Sequence, residues 1–534
     1  MTKNLLIMFC LIGTSSGAFR FLPNMLRAGK TLPRRHGHGV RMQFARSVSA
    51  SSLGSQPTPR DDAMKIIYAS IRAVDPRVAV QDRLKVEKGE GGPFLFVRES
   101  KGLNAAPLSY DLSEFERVRI VSFGKASTAM ARSVAEVLSL SNVNIDGVVI
   151  TKDGHATDDE KNLLSGYNIR VREASHPIPC ERSVSSAEEI MEVASSSDSR
   201  TLLIACISGG GSALFCLPRG DLTLNDLMET NARLLESGAP IQKMNIIRKR
   251  LEMGKGGLLA TAAYPATTLG LVLSDIVGDP LDLIASGPTV PDESSFEEAW
   301  SILREYGMGP GGSHELPPAV IDVIREGNAA EKALDNSVIH PAFKLVDDKA
   351  RRTSETVLVG NNRAAVLAAA EEAEKLGYSP AILGTRFDGE ASCVGGSLVA
   401  MADHLCNKDT MYPIAATPAA LISGGETIVN LPQNCKGRGG RNQELALAAA
   451  LKMNEMNLKG CCLASIGTDG TDGPTDAAGA IVDSKTVDDD VSRSSALKAL
   501  SDHDSYDFLN ERGCLVMTGP TGTNVADVCI TLIR

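Results

Sequence analysis

The chain has 534 residues, of which 43% are hydrophobic and 22% charged, and its formal net charge at pH 7 is −10. This length exceeds the size at which one hydrophobic core keeps growing, so we expect two domains, and the acidic balance argues against a nucleic-acid partner. Eleven cysteines without a Cys-x-x-Cys pair argue against a disulfide scaffold or a structural zinc site, and no apolar run approaches the roughly 20 residues of a membrane span, so no membrane partner is expected.

Residues 1–60 have the composition of a targeting segment, with nine Lys or Arg and no Asp or Glu. A short apolar run at residues 5–12 follows Lys3, as in a secretory signal, whereas the basic, serine-rich remainder is typical of an organelle transit peptide. We therefore expect a presequence that directs the protein to a plastid or a mitochondrion. The alternative is a tail retained by a cytoplasmic protein.

Predicted strands and helices alternate along the rest of the chain. Apolar runs typical of buried strands lie at residues 118–123, 202–207, 269–273, 357–359, 419–422 and 463–466. Repeated strand-turn-helix units indicate an α/β fold with mainly parallel, doubly wound sheets. The uneven polar region 311–352 is interpreted as a linker or a domain-crossing segment, which gives an N-terminal domain at residues 61–345 and a C-terminal domain at residues 350–534.

The first predicted strand leads through Gly-Lys-Ala, with Lys125 at its centre, into a helix predicted at residues 127–138. An ammonium at such a helix start can reach a bound phosphate. The spacing of a P-loop fails here, and no Gly-x-Gly-x-x-Gly follows the strand, so we expect neither a P-loop nor a standard dinucleotide site. A solvated surface lysine is the alternative.

The second predicted strand ends in five residues that are candidates for phosphate binding: Ser208, Gly209, Gly210, Gly211 and Ser212. Open α/β sheets bind ligands outside the carboxyl ends of their strands, where glycine turns leave the backbone accessible. Another Ser-Gly-Gly turn, at residues 423–425, follows the predicted strand 419–422. A tight turn without a ligand is the alternative.

A basic segment at residues 245–255 follows. At helical spacing, Asn245, Arg248 and Lys249 fall on one face, and Lys255 lies just beyond. Such a face could neutralise a triphosphate, or it could be an ordinary solvated helix surface.

Two later loops carry carboxylates at predicted strand ends. Asp275 and Asp279 lie in the loop 274–280, and Asp469 and Asp472 in the loop 467–476. Carboxylates in such places can accept a substrate proton or hold magnesium. Asp-Gly turn chemistry without a ligand is the alternative.

Between these loops lies a glycine-rich turn with two arginines, at residues 437–444, which runs into a predicted helix. Glycines, the free amides of a helix start and an arginine fork together are suited to an anion, although a plain helix cap has the same composition. The candidate ligand-binding residues of this turn are Gly439, Gly440, Arg441, Asn442 and Glu444.

Five blocks, in order and spacing, resemble the glycerate 2-kinases of the MOFRL type, and the resemblance extends from about residue 61 to residue 524. The blocks are residues 207–214, 245–255, 274–289, 439–444 and 467–479.

The resemblance implies an enzyme that transfers the γ-phosphoryl group of ATP, with Mg²⁺, to the 2-hydroxyl of D-glycerate. It also implies two α/β domains with the active site in the cleft between them, and a pathway role in serine or glycolate salvage. The family's catalytic lysine and arginine fall on Lys125 and Arg441. We expect residues 208–212 to cradle phosphate, Arg248 and Lys255 to add charge, and the four aspartates to supply the metal ligand and the proton acceptor.

One residue departs from the family pattern. Glu252 stands where relatives usually have a small serine, which puts a direct substrate contact at that position in doubt. Two other functions stay open: a hydroxypyruvate reductase, against which the missing dinucleotide fingerprint argues, and a non-catalytic sugar-acid binding protein. The sequence is compatible with a monomer or a homodimer.

Overall fold

The computed structural model describes residues 58–89, 92–99, 103, 107–333, 340–346, 351–407 and 412–534. The expected presequence lies outside these ranges except for its last three residues. In the described part of the chain, no helix has the length and apolar character needed to cross a membrane.

The elements are numbered in chain order. The helices are α1 Pro59–Ala73, α2 Pro76–Arg83, α3 Ser127–Leu138, α4 Asp158–Gly166, α5 Glu181–Ser195, α6 Gly211–Leu214, α7 Leu224–Glu236, α8 Ile241–Leu251, α9 Leu258–Ala263, α10 Phe296–Glu305, α11 Pro318–Ala333, α12 Asn362–Lys375, α13 Ala391–Cys406, α14 Arg441–Glu455, α15 Asp490–Ser501 and α16 Ser505–Glu511. Short 3-10 helices are Leu112–Glu114, Ser139–Ser141, Ile284–Ser286 and Pro341–Phe343. The strands are β1 Leu84–Gly89, β2 Gly92–Val97, β3 Leu108–Asp111, β4 Arg117–Phe123, β5 Asn144–Lys152, β6 Ile169–Ala174, β7 Thr201–Ile207, β8 Thr267–Leu273, β9 Leu345–Val346, β10 Arg351–Arg352, β11 Ser354–Gly360, β12 Ser379–Phe387, β13 Ala419–Gly425, β14 Cys461–Gly467, β15 Gly479–Asp483, β16 Leu515–Val516 and β17 Asp527–Ile533.

The first large sheet has six strands, all parallel, in the order β6-β5-β4-β7-β8-β11. Counted in chain order this is 3-2-1-4-5-6, the order of doubly wound sheets, and it reverses between β4 and β7. β7 is buried along its whole length, as expected for a central strand covered by helices on both faces. The α/β class and the parallel sheet are therefore confirmed for this part of the chain.

The second large sheet, in the order β12-β13-β17-β14-β15-β16, is mixed. Among the strand pairs described in this sheet, only β12 and β13 are parallel, and the last strand, β17, inserts antiparallel between β13 and β14. The expectation of a mainly parallel second sheet needs this correction, since an antiparallel partner from the chain terminus leaves no local signal. The carboxyl ends of β13 and β14 and the amino end of β17 consequently lie at one edge of the sheet.

Part of the region 311–352, where we expected a linker or a domain-crossing segment, is helical. Helix α11 lies within that region and packs with α7, α8 and α10 around buried residues that include Leu234, Ile247, Leu303 and Ile324. The turns on either side of α11 are rich in glycine and proline, which hides its helical period in the sequence.

Two elements cross the division expected near residues 345–350. β11 pairs with β8 and so extends the first sheet. Helix α1 packs on the second sheet and on α12, where Asp62 accepts hydrogen bonds from Arg534 (2.6 Å) and Tyr378 (3.1 Å). One buried cluster accordingly runs from β4 and β8 through α12 to β13 and β17. The two bodies, built around the two large sheets, therefore share a core.

Helix α1 is fixed at its first turn. Thr58 and Asp61 form a reciprocal capping box (3.2 and 2.9 Å), and Arg60 donates to Asp483 (2.6 Å) and to Thr486 (3.1 Å). A boundary at residue 60 would cut through this turn, so the folded body begins before Asp61.

We expect a chain that begins at Asp61 to be less stable than one that begins at residue 51, by about 1–2 kcal/mol, because it lacks the cap and the anchor of Arg60. Urea unfolding of the two chains measures this difference. The variant Arg60→Ala in the longer chain separates the anchor from the cap, and equal midpoints for all three proteins would contradict the prediction.

Candidate active site

The turns that follow β4 and β7 are hydrogen-bonded to each other at the reversal point of the first sheet. Doubly wound sheets hold their ligands at this point. The amide of Lys125 donates to the carbonyl of Gly209 (2.9 Å), and the amide of Ala126 donates to the hydroxyl of Ser208 (3.1 Å). Gly124 has a φ of 124°, and a Cβ there would lie 2.2 Å from Ser208 Oγ, so the contact requires glycine. Half-buried Lys125 makes no side-chain hydrogen bond or ion pair with any residue that the structure describes.

The loop after β8 brings a carboxylate to the same place. A Cβ on Gly209 would lie 2.1 Å from Asp275 Oδ2, so this carboxylate rests on the glycine backbone. Burial raises the pKa of Asp275, and the nearby charge of Lys125 opposes that rise. Asp279 instead accepts a hydrogen bond from Asn361 Nδ2 (2.7 Å) at the start of α12. Asp275 is thus the carboxylate of this loop that lies near Lys125. Asp279 instead attaches the loop to the start of α12.

The remainder of the Ser-Gly-Gly-Gly-Ser turn is closely packed. A Cβ on Gly210 would lie 2.8 Å from His176 Nε2, and one on Gly211 would lie 2.9 Å from the Cβ of Ala285. The hydroxyl of Ser212 is 3.3 Å from that of Ser286. The glycines therefore allow three separate segments to converge beside Lys125.

The polar and charged side chains of the basic segment, residues 245–255, contact other groups of the protein. Lys255 pairs with Glu252 and donates to the carbonyl of Ser212 (3.0 Å), and both Lys255 and Glu252 are buried. Arg248 donates to Asn231 (2.8 Å), and Asn245 accepts from Ser286 (3.4 Å). Glu252 thus pairs with Lys255 in this structure, and the phosphate-binding role expected for Lys255 stays a prediction.

The second sheet places Arg441 between two carboxylates. Its Nε and Nη2 donate to the two oxygens of Asp527 (2.6 and 2.9 Å), and its Nη1 donates to Glu426 (2.8 Å). Asp527 is the first residue of β17 and stands in register between Gly425 and Gly467, the last residues of β13 and β14.

The carboxylate of Glu426 also links the two bodies. Burial is the main cause of its raised pKa, which Arg441 opposes, and the charges of Asp527 and Asp275 raise the pKa further. Asp275 belongs to the first body, and Arg386 of the second body lies against Gly278 in the same loop, so the two sites lie next to each other in one cleft.

The turn at residues 437–444 is capped by a side chain of the protein, and the ligand-binding role expected for it stays a prediction. Asp472 accepts from the amides of Asn442 (3.1 Å) and Gln443 (2.8 Å), so the anion at the start of α14 is a side chain of the protein itself. Burial raises the pKa of Asp472 to about 6. Asn442 is 1% exposed and accepts from Ser465 (2.6 Å).

The other candidates of this turn are also occupied by the protein. Glu444 is buried and pairs with His503 (2.9 Å). A Cβ on Gly440 would lie 2.3 Å from Asp472 Cγ, and one on Gly439 would lie 2.3 Å from Ser505 Oγ. Only Arg441 projects from the turn toward the cleft residues.

Asp469 lies at the edge occupied by Asp527. A Cβ on Gly467 would be 3.4 Å from Asp469 Oδ1 and 3.6 Å from Asp527 Oδ1. Asp469 is half-buried and accepts from the amide and hydroxyl of Thr471 (3.0 and 3.1 Å). Within the described ranges, no group of three or more His, Cys, Asp or Glu side chains is arranged to hold a metal ion.

His176 and Asp527 are site residues that the sequence analysis missed. His176 follows β6 at its carboxyl end, in a Ser-His-Pro sequence that could have marked it, and approaches Gly210 and Lys125. Burial, assisted by the charges of Lys125, Lys152 and His155, lowers its pKa from 6.5 to about 4. His176 is therefore neutral at physiological pH and is suited to donate or accept a hydrogen bond.

This lowered pKa predicts how His176 contributes to stability. Between pH 6.5 and 4 the unfolded chain binds the proton more readily, so stability contributed by neutral His176 is complete above about pH 6.5 and is lost as the pH falls toward 4. We expect wild type to lose unfolding free energy relative to His176→Gln as the pH falls from 7.5 to 5. Urea titrations of both proteins measure it, and a difference independent of pH would contradict the prediction.

The fold and the site define a two-body α/β protein with a cleft in which Lys125, unpaired among the described residues, lies near carboxylates, a combination suited to stabilising charge on a phosphoryl group. Residues 419–527 match the MOFRL family, and residues 62–325 match a domain family described as being of unknown function. The D-glycerate 2-kinase of Thermotoga maritima is 38% identical over 479 residues, covering 88% of this chain and 97% of the relative. The chain belongs to the glycerate kinase family of the MOFRL type.

Two further comparisons agree with this placement or bear on its alternative. The crystal structure of a glycerate kinase from Thermotoga maritima aligns with a TM-score of 0.70 at 34% identity, covering 89% of this chain and 99% of that one. An Agrobacterium vitis relative that carries hydroxypyruvate reductase as a provisional name is 36% identical, covering 92% of this chain and 99% of the relative.

Proposed function

We propose that the protein transfers the γ-phosphoryl group of ATP to the 2-hydroxyl of D-glycerate, giving 2-phosphoglycerate and ADP. The observation that carries this proposal is the unpaired ammonium of Lys125 beside Asp275 at the reversal point of the first sheet. Phosphoryl transfer depends chiefly on positioning and on stabilising charge at the transferred group, and an ammonium without a carboxylate partner is available for that role. Membership in the glycerate kinase family supports the choice of acceptor.

Each cleft residue has a distinct part in the proposed reaction. Lys125 stabilises the charge that spreads over the transferred phosphoryl oxygens. Asp275, whose pKa is raised by burial, accepts the proton of the attacking hydroxyl, a task favoured by a pKa closer to neutrality. Arg441 holds the carboxylates of Asp527 and Glu426 in place and adds positive charge to the second wall of the cleft.

The donor set also fits Mg²⁺, which takes oxygen ligands, keeps several waters and is commonly held by one or two carboxylates together with phosphates. Asp469 would hold it, because its carboxylate lies at the cleft edge without an ion pair to any described residue. When bound, the ion neutralises charge on the phosphates of ATP. Asp279 and Asp472 are less suited, since Asn361 and the α14 amides occupy them.

A coupled assay tests the proposal directly. The chain from residue 51 onward is incubated with D-glycerate, ATP, Mg²⁺ and enolase, and phosphoenolpyruvate is followed. Enolase accepts 2-phosphoglycerate and not its 3-isomer, so prompt signal supports both the kinase activity and the position. Release of ADP without phosphoenolpyruvate would exclude the 2-position, and no ATP turnover would overturn the proposal.

The hydroxypyruvate reductase alternative rests on the provisional name of the Agrobacterium vitis relative. The turn after β4 carries Lys125 where a dinucleotide fingerprint would place its glycines, which argues against it. A parallel assay measures the oxidation of NADH in the presence of hydroxypyruvate. If no NADH is oxidised, the reductase alternative is excluded.

The cellular setting is a further proposal, which the acid-free, basic composition of residues 1–60 supports. We infer import into a plastid or a mitochondrion, with a role in serine or glycolate salvage. A fluorescent reporter fused to residues 1–60 would overturn the inference if its signal were diffuse in the cytosol. Light scattering of the purified chain distinguishes a monomer from a homodimer.

A further inference from the structure

Arg386 is a second cleft cation that has no carboxylate partner among the described residues. It is exposed near the end of β12 in the second body and lies against the loop after β8 in the first. A Cβ on Gly278 would be 3.2 Å from its Nη2, 3.3 Å from its Cζ and 3.5 Å from its Nε, so the guanidinium plane faces the glycine backbone. Its donors form no hydrogen bond or ion pair with residues of the described chain.

The shape of β12 places this side chain. The register of β12 against β13 shifts between Ile382 and Gly384 and again between Gly384 and Phe387. Such irregularities bend edge strands and redirect side chains, often beside active sites. The carbonyl of Phe387 accepts from the amide of Glu426 (2.8 Å), which brings Arg386 to the sheet edge that carries Arg441.

The charges of the cleft distinguish Arg386 from Arg441. Asp527 and Glu426 occupy the guanidinium of Arg441. Lys125 and Arg386, one from each body, have donors left for a ligand among the described cleft residues. A nucleotide polyphosphate adds several negative charges to a cleft that already contains Asp275, so a cation from each body would favour its binding.

We propose that Arg386 binds the polyphosphate of the nucleotide from the side opposite Lys125, a role that rests on the proposed function. The planar fork of arginine matches two phosphate oxygens at once. A small acid acceptor has to touch Asp275, whereas Arg386 contacts Gly278, three residues further along the loop and toward solvent. The long polyphosphate therefore reaches Arg386, and the acceptor does not.

The variants Arg386→Ala and Arg386→Lys test this, with Arg493→Ala, an exposed arginine on α15, as the matched control. Calorimetric titration with ADP and Mg²⁺ gives Kd, and steady-state assays give KM for ATP and for D-glycerate. We expect Arg386→Ala to raise the Kd for ADP and the KM for ATP about ten- to a hundredfold, with KM for D-glycerate changed less than about twofold. Arg386→Lys should recover part of the loss because it keeps the charge without the fork.

The outcomes separate this inference from the proposed function. If wild type phosphorylates D-glycerate and Arg386→Ala binds ADP as tightly as wild type, the inference alone is wrong. A rise confined to KM for D-glycerate would likewise overturn it, by assigning Arg386 to the acceptor. If wild type does not phosphorylate D-glycerate but Arg386→Ala weakens ADP binding relative to Arg493→Ala, the nucleotide site stands and the proposed function fails.

Discussion

Replacing Lys125 with alanine is expected to lower kcat by about a thousandfold or more and to leave the unfolding midpoint close to that of wild type. The loss is large because Lys125 lies in the turn at the reversal point of the first sheet, where its ammonium has no hydrogen-bond or ion-pair partner among the described residues. Stability should change little, since the side chain makes no hydrogen bond or ion pair with the part of the chain that the structure describes. Enolase-coupled turnover and thermal unfolding of the same preparation measure both effects.

Two further variants serve as comparisons for Lys125→Ala. Lys125→Arg keeps the charge but changes its shape and reach, so we expect it to retain more activity than Lys125→Ala. Lys459→Ala removes an exposed lysine of the second body and should retain wild-type turnover. Near-normal activity of Lys125→Ala would refute the assignment of Lys125 to the transferred phosphoryl group.

The parts of the site that the sequence predicted depend on local signals. An apolar run followed by a glycine turn marks a strand end wherever it occurs, so the sequence located the turns of Lys125 and Ser208 and the loop of Asp275. The first sheet confirms the parallel strands that the sequence predicted. Because the carboxyl ends of parallel strands lie at one sheet edge, these turns come together there.

The parts that the sequence did not predict depend on partners distant in the chain. The turn before α14 has the composition of an anion site, and nothing local shows that Asp472, thirty residues later, fills it. Asp527 became a site residue because β17 inserts between β13 and β14, and strand order in a mixed sheet has no local signature. Lys255 similarly forms a buried ion pair with Glu252. The sequence shows that Glu252 departs from the family pattern, but it does not show this ion pair.

Replacing Arg441 is expected to lower both stability and activity, because Arg441, unlike Lys125, also has a structural role. Its guanidinium satisfies both oxygens of Asp527, which is 7% exposed, and one oxygen of Glu426. Removing one partner of a buried ion pair leaves an uncompensated charge, at a cost of about 3 kcal/mol. Arg441→Ala should therefore be destabilised by about that amount and lose activity by two to three orders of magnitude, of the order found when a preorganised donor is removed. Urea unfolding and enolase-coupled turnover measure the two losses.

The double variant Arg441→Ala, Asp527→Asn distinguishes the two tasks. Neutralising Asp527 removes the buried charge that Arg441→Ala leaves unpaired, so we expect the double variant to recover more than half of the lost stability. Activity should stay at the level of Arg441→Ala, because asparagine restores no positive charge to the cleft. Recovery of turnover together with stability would show that Arg441 acts only by holding Asp527 in place, and its proposed contribution to the charge of the cleft would then be wrong.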